Sequence, residues 1–280
     1  MTNTNRHVKL PLVEDFRLAL MTQQFHLVFQ PKVCARTNQI VGAEVLLRWQ
    51  HPAYGLIPAD HWVSLAESHN LIRPLTLWLL DKVICYLKSR EKLAVPLAIN
   101  VPPACLDGAF VFHVIDSLTK AGVPYELLEI EITESTPVQN MTNLANAVRL
   151  LRTKGVKVYL DDFGTGYSTM QYLVEIPVDG VKMDKSFVQQ APVIPAARMV
   201  LRSLIELAQE IGATVVCEGV ETVEQLMLVK QMGAKIIQGY IMGKPMAPEA
   251  FSEIMGYPVP VVSEIVMPAL YETHYEAQVS

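Results

Sequence analysis

The chain has 280 residues, 51% of them hydrophobic and 18% charged, which is enough for a large core in one barrel-sized domain or two small ones. Its 23 basic and 28 acidic residues leave a net charge of -5 with no stripe of Lys or Arg, so long DNA or RNA is disfavoured as a partner. No apolar run reaches the ~18 residues of a membrane helix; Met1 to Lys9 is polar, and Cys34, Cys85, Cys105 and Cys217 lack disulfide or zinc spacing, so the chain reads as soluble and intracellular with reduced, buried thiols.

In chain order, short β-rich runs predict strands over His26–Val33, Ile40–Trp49, Val95–Val101, Leu127–Ile132, Val156–Leu160, Gly180–Met183, Thr214–Cys217 and Ala234–Gln238. Apolar residues at every third or fourth position predict helices over Pro58–Arg90, Ala109–Ala121, Thr142–Lys154, Ala196–Ile211 and Thr222–Met232. Strand followed by helix, repeated, indicates a parallel sheet. The first two strands are the exception, because Cys34 to Gln39 is too short for a parallel crossover and requires an antiparallel pair. The expectation is a TIM-type (β/α)8 barrel variant with its first strand antiparallel, with a doubly wound open sheet as the alternative. No Gly-x-Gly-x-x-Gly or Walker loop supports the latter. One domain over 1–257, with its barrel core at about 25–251, and a tail over 258–280 complete the expected organisation. The stretch ahead of His26 is too short for a sensor domain, so the chain is read either as a stand-alone protein or as a piece of a larger one.

The positions of acids and amides carry the chemistry. Glu44 lies inside an apolar strand, Asn100 and Glu131 near strand ends, and Asp161 with Asp162 directly after the fifth strand. Lys182 is in the sixth strand, Glu218 follows the seventh and Gln238 closes the eighth. Strand C-termini of a barrel converge on one face, so these residues should meet in one pocket. Their carboxylates repel one another unless something positive sits among them, and Lys182 alone is too little. Hard oxygen ligands suit Mg2+ or Mn2+, and two such ions ~3.5–4 Å apart could clamp a phosphodiester and activate water. Taken singly, each residue has an ordinary alternative: Asp161 and Asp162 capping a turn, Glu131 exposed at a strand end, Lys182 paired with Asp184. Glu44 is harder to dismiss, since Ala43-Glu44-Val45-Leu46-Leu47 buries a charge that needs a partner or a metal.

At these residues the chain resembles the EAL family of bacterial cyclic di-GMP phosphodiesterases, and the likeness runs from Phe25 to Phe251. It is carried by Phe29-Gln30-Pro31, Gly42-Ala43-Glu44-Val45-Leu46-Leu47-Arg48-Trp49, Ile99-Asn100-Val101, Glu129-Ile130-Glu131-Ile132-Thr133-Glu134-Ser135, Asp161-Asp162-Phe163-Gly164-Thr165-Gly166-Tyr167-Ser168, Val181-Lys182-Met183-Asp184, Glu218-Gly219-Val220-Glu221-Thr222 and Gln238-Gly239-Tyr240. The naming motif departs by one residue, Val45 in place of alanine, which leaves the Glu44 carboxylate untouched.

The resemblance implies hydrolysis of cyclic di-GMP to linear pGpG with two divalent cations, Mg2+ or Mn2+, in a cytoplasmic homodimer. By the same resemblance Glu44, Asn100, Glu131 and Asp161 hold one metal, and Asp161 bridges to a second beside Asp162 and Glu218. Lys182 positions the attacking water, Glu218 accepts its proton, and Asp162 belongs with them in the catalytic group. Gln30, Leu46, Arg48 and Gln238 fall on the substrate side, Arg48 with a forked donor for a phosphate oxygen and the two glutamines with amides suited to a guanine edge or to ordering the pocket. Glu134 and the loop residues Phe163, Gly164, Thr165, Gly166, Tyr167 and Ser168 are implied as a regulatory element, whose pliability the two glycines support. A degenerate domain that binds the nucleotide without turnover is one rival reading. An aldolase with Lys182 as Schiff base is another, disfavoured because surrounding carboxylates raise a lysine pKa. Trp49, Trp62 and Trp78 read as packing residues, the 12 methionines as core filler, and the 7 histidines show no ligand spacing.

Overall fold

β-Branched and aromatic residues crowd the segments Phe25–Cys34 and Ile40–His51, which form strands β1 and β2, paired antiparallel with Gln30 opposite Glu44. The computed structural model describes residues 13–90, 95–133, 140–165, 169–257 and 259. Ahead of β1 lies helix α1 (Val13–Met21), and β3 (Gly55–Ile57) extends β2 as a short hairpin. The chain then continues α2 (Ala59–Ser68), α3 (Ile72–Ser89), β4 (Leu97–Val101), α4 (Gly108–Ala121), β5 (Leu128–Ile132), α5 (Met141–Lys154), β6 (Lys157–Phe163), α6 (Thr169–Glu175), β7 (Gly180–Met183), α7 (Lys185–Gln190), α8 (Pro195–Glu210), β8 (Thr214–Cys217), α9 (Val223–Gln231), β9 (Ile236–Ile237) and α10 (Pro248–Ile254).

β2 and β4 to β9 follow one another in parallel, and β1 pairs antiparallel with both β2 and β9. That second pairing closes the sheet into a barrel, which removes the open-sheet alternative and identifies β1 as the reversed strand. Alternation puts Leu97, Ile99 and Val101 of β4 and Leu128, Ile130 and Ile132 of β5 on the outer face. There they join a continuous buried cluster with Leu80 and Val83 of α3, Phe110 and Val114 of α4, and Val148 and Leu151 of α5. Each such buried side chain contributes roughly 1.5–3 kcal/mol. With the apolar core between strands and helices, the lumen is free to be polar.

Local signals set the helix ends. Asp107 and Asn140 cap α4 and α5 by accepting from Phe110 N and Asn143 N, and Gly122 and Gly155 close them in left-handed conformations. Thr222 and Gln225 form a capping box on α9. The single helix expected over Pro58–Arg90 is two, because Asn70 turns left-handed at φ 57° and Pro74 is confined to the first turn of α3. α1 was not expected; its buried residues are Phe16 and Ala19, and Phe16 is held by rings of Phe25 and Trp49 with centroids 5.4 and 5.5 Å away. α6, α7, α10 and β3 are likewise short elements with too few residues to show a period.

The four cysteines are free, but only Cys105 and Cys217 are buried; Cys34 is half-buried and Cys85 exposed, since Cys85 falls on the outer side of α3. Trp49 and Trp62 are core residues, as expected, whereas Met21, Met199 and Met227 among the methionines are exposed. The tail expected over 258–280 lies outside the described residues except for Val259, whose amide donates to Asn38 O at 2.8 Å.

Val45 is 2% exposed and, one residue from lumen-facing Glu44, turns outward into the apolar layer. Val45→Ala should therefore lower unfolding free energy by roughly 2 kcal/mol in a urea titration. An unchanged midpoint would place the side chain outside the packed layer.

Candidate metal centre

The same alternation that sends apolar residues outward turns Gln30, Glu44, Asn100, Glu131 and Lys182 inward, near the C-terminal ends of the parallel strands. Register then aligns them, with Gln30 opposite Glu44 and Asn100 opposite Glu131. Asp161 and Asp162 lie within β6, not after it. Consecutive strand residues ordinarily face opposite sides, yet here the β6–β7 register shifts between Leu160 and Phe163 and Asp162 adopts φ 52°. Asp is among the few side chains tolerated in that left-handed region. The kink brings both carboxylates together: ligand oxygens of Asp161, Asp162 and Glu218 lie within 4.8 Å of one another. A second set, Glu44, Glu131 and Asp161, meets the same distance, so Asp161 is common to both.

Lys182 Nζ stands at the centre of these acids, 2.7 Å from Glu131 Oε2, 3.0 Å from Asp161 Oδ1, 3.4 Å from Glu44 Oε2 and 2.6 Å from Glu218 Oε1. The Glu218 contact is an ion pair without hydrogen-bond alignment, because that buried oxygen has no aligned donor. Glu131 is fully buried, and Lys182 does not pair with Asp184, which instead caps α7 by accepting from Ser186 N at 2.9 Å. Glu44 is steadied by amides: Asn100 Nδ2 donates to its Oε1 at 2.7 Å and Gln238 Nε2 to its Oε2 at 2.6 Å.

Burial penalises the Lys182 ammonium, but the surrounding carboxylates, Asp161 first, hold its pKa well above the usual lysine value. It is therefore a cation and not a Schiff-base nucleophile. Burial pushes Asp161 up to about 7, opposed by Lys182 and reinforced by Glu131 and Glu44. Glu218 is raised well above the usual range, also by burial, with Lys182 opposing and Asp161 and Glu44 adding. Glu131 goes the other way: burial raises it, and the ammoniums of Lys182 and Lys32 outweigh that and lower it. Asp162, exposed overall, is raised by partial desolvation of its carboxyl and by Asp184.

This residue set fits a divalent cation. Asn100 Oδ1 is buried without a donor, a defect worth about 1–3 kcal/mol, and a cation at the mouth would satisfy it. The donors are all hard oxygens, and Asp161 is shared as a bridging carboxylate would be.

Leu46 and Arg48 share the inward face of β2 with Glu44, each step closer to the mouth, and Arg48 Nη1 donates to Leu47 O at 3.0 Å. Gln238 Nε2 also donates to Gln30 Oε1 at 3.2 Å, so the two amides are linked to each other and to Glu44. Of the expected regulatory element, Glu134, Gly166, Tyr167 and Ser168 lie outside the described residues. Phe163 is buried and Thr165 Oγ1 donates to Asp162 O at 2.9 Å. Gly164, at φ 102°, packs where a Cβ would meet Leu204 at 2.8 Å and Phe187 at 2.9 Å.

Sequence reasoning passed over Lys32, Glu129 and Tyr159, which lie one inward step below the carboxylates. Lys32 Nζ is 2.5 Å from Glu131 Oε1 and 3.0 Å from Glu129 Oε2, with all three residues buried. The available signal was Gln30 and Lys32 at i and i+2 of a hydrophobic strand, matched by Glu129 and Glu131 at i and i+2 of another.

The family model described as EAL domain matches residues 13–245, and the chain belongs to this family of barrels with an acidic mouth. Among curated relatives, it is 34% identical over 246 residues to cyclic di-GMP phosphodiesterase PA2567 of Pseudomonas aeruginosa, covering 86% of this chain and 42% of that protein. It is 36% identical to cyclic di-GMP phosphodiesterase PdeL of Escherichia coli, covering 89% of this chain and 70% of that one. The solved structure described as PaMucR phosphodiesterase in complex with c-di-GMP superposes with a TM-score of 0.79 at 31% identity, covering 85% of this chain and 98% of that one. The chain thus spans about two fifths of the length of PA2567 and most of the length of PdeL.

A raised Asp161 pKa means that the folded, metal-free state retains a proton that the unfolded chain releases near pH 3.8. Its contribution to stability is present below that pH and lost as pH rises through about 7. In chelator, Asp161→Asn should melt close to the unaltered protein near pH 4 and several degrees above it by pH 8, with the gap widening in between. A pH-independent gap in thermal melts would contradict this.

Proposed function

We propose that the chain is a metal-dependent phosphodiesterase that opens cyclic di-GMP to linear pGpG. The observation that carries the reading is the Asp161 carboxylate common to two oxygen-ligand sets around Lys182, at the mouth of an EAL-family barrel. Glu44, Asn100, Glu131 and Asp161 would hold one Mg2+ or Mn2+, and Asp161, Asp162 and Glu218 a second. Bound there, the cations would acidify a water and neutralise charge on the phosphate.

The side chains supply the rest. Lys182, kept cationic by its neighbours, donates to the oxygen of the attacking water and holds it in place. Glu218, whose raised pKa suits it to take a proton, accepts one from that water. The water oxygen forms its bond to phosphorus while the P–O3′ bond breaks; the ribose oxygen leaves with the electron pair and takes a proton from solvent, giving a 5′-phosphorylated linear dinucleotide. Arg48 presents its guanidinium to a phosphate oxygen, Leu46 lines the same face, and Gln238 with Gln30 keeps Glu44 in orientation.

Purified protein incubated with cyclic di-GMP should give pGpG with Mg2+ or Mn2+ and none in chelator, and Glu44→Ala should reduce the rate by at least about a hundredfold. Binding without product under either metal would instead identify a nucleotide receptor.

We further infer that it acts as a cytoplasmic homodimer. Val193, Ile194, Met199 and Val200 expose apolar surface around the start of α8. Leu204 of α8 and Phe187 of α7 press on Gly164, two residues from Asp162, which gives the 163–168 loop a route for regulation. No helix among the described residues is long and apolar enough to cross a membrane, and the free thiols suit a reducing compartment. Sedimentation velocity should show a dimer that Met199→Asp shifts towards monomer; a monomeric unaltered chain would refute the dimer.

A further inference from the structure

We propose that Lys32 is a positioning residue for the candidate metal centre: from below, its ammonium pins Oε1 of Glu131, leaving Oε2 as the oxygen turned towards the mouth. The assignment rests on the reading of Glu131 as a metal ligand. Its basis is geometric. Lys32 Nζ lies 2.5 Å from Glu131 Oε1, and Lys182 Nζ lies 2.7 Å from Oε2, so the carboxylate is gripped at both ends and cannot rotate. Glu129, one inward step below on the same strand, supplies the counter-ion at 3.0 Å.

The lower lumen is shaped around that ammonium. Gly42 stands opposite Lys32 in the β1–β2 register, where a Cβ would be tight against Pro96 O at 3.3 Å and in ordinary contact with the lysine stem at 3.7 Å. Gly180 stands opposite Tyr159, where a Cβ would collide with the ring at 2.3 Å. The vacated space lets the Tyr159 ring lie 5.3 Å from Lys32 Nζ. A buried ion pair is poor evidence for stability, because well-packed apolar residues of similar volume serve as well or better. The convergence of β1 and β5 side chains on one carboxylate, with space for Tyr159 cleared on β7, therefore points to a function of the pair in what it does to Glu131. Residues that orient metal ligands in this way typically control affinity by about 10–100-fold.

The test is calorimetric titration with Mn2+ at fixed pH, with thermal melts to verify folding. It compares the unaltered chain, Lys32→Met, and Lys32→Met combined with Glu129→Gln. The double variant conserves net charge and removes the buried pair together, so it folds even where an unpaired Glu129 prevents the single variant from doing so. Orientation by Lys32 predicts roughly tenfold weaker Mn2+ binding in both. Electrostatics alone predicts the opposite for Lys32→Met, since losing a nearby cation tightens the binding of another. Affinity equal to or tighter than that of the unaltered chain, in either folded variant, overturns the proposal. An unaltered chain that takes up no Mn2+ overturns the underlying metal reading, which is a separate result.

Discussion

One ammonium among four carboxylates sets the terms for this barrel. Lys182 Nζ is within 3.4 Å of oxygens from Glu44, Glu131, Asp161 and Glu218, in a lumen where unpaired charge is severely penalised. Lys32 adds a second cation but brings Glu129 with it, so acids still outnumber bases. The excess favours protonation: burial drives the pKa values of Asp161, Asp162 and Glu218 up, while Glu131, gripped by both lysines, is driven down. Divalent cations would displace those protons, so metal uptake and proton release are two sides of one equilibrium. The acidic sequence composition is thus partly a property of the lumen and not only of the surface.

Much of this was legible from residue order. The strands showed as short runs of β-branched and other apolar residues between helical patterns, and the reversed strand because no parallel crossover fits between Val33 and Ile40. Glu44, Asn100, Glu131, Lys182, Glu218 and Gln238 showed because strand ends of a barrel converge. The kink at Asp162 did not, since a register shift depends on how β6 meets β7 and leaves no local pattern. Lys32 was hidden for a different reason: its partners are about a hundred residues away, and only the barrel register makes them neighbours. α1 was hidden because it is held by rings from other elements and not by its own periodicity.

The departure Val45 shows how alternation separates stability from chemistry. One residue from the carboxylate at Glu44, it faces the helix layer, so a larger side chain changes packing there and leaves the lumen as it was. Glycines act on both sides of the sheet. Gly180 leaves room in the lower lumen for the Tyr159 ring, while Gly164, on the helix side, admits α7 and α8 close to the kinked strand. Side-chain volume is therefore allotted position by position, and is absent where a ring or a helix has to come close.

The reversed strand also fixes where the chain enters and leaves. β1 runs from the mouth downwards, so α1 joins it beside the acidic rim, where Phe16 packs on Phe25 and Trp49. The β1–β2 turn lies at the opposite end, and Val259 is tied to it through Asn38 O. The first described helix therefore sits at the rim, and the last described residue sits at the far end of the barrel. Contacts made on α1 are thus felt directly beside the acids, whereas those made at Val259 reach them along the length of the strands.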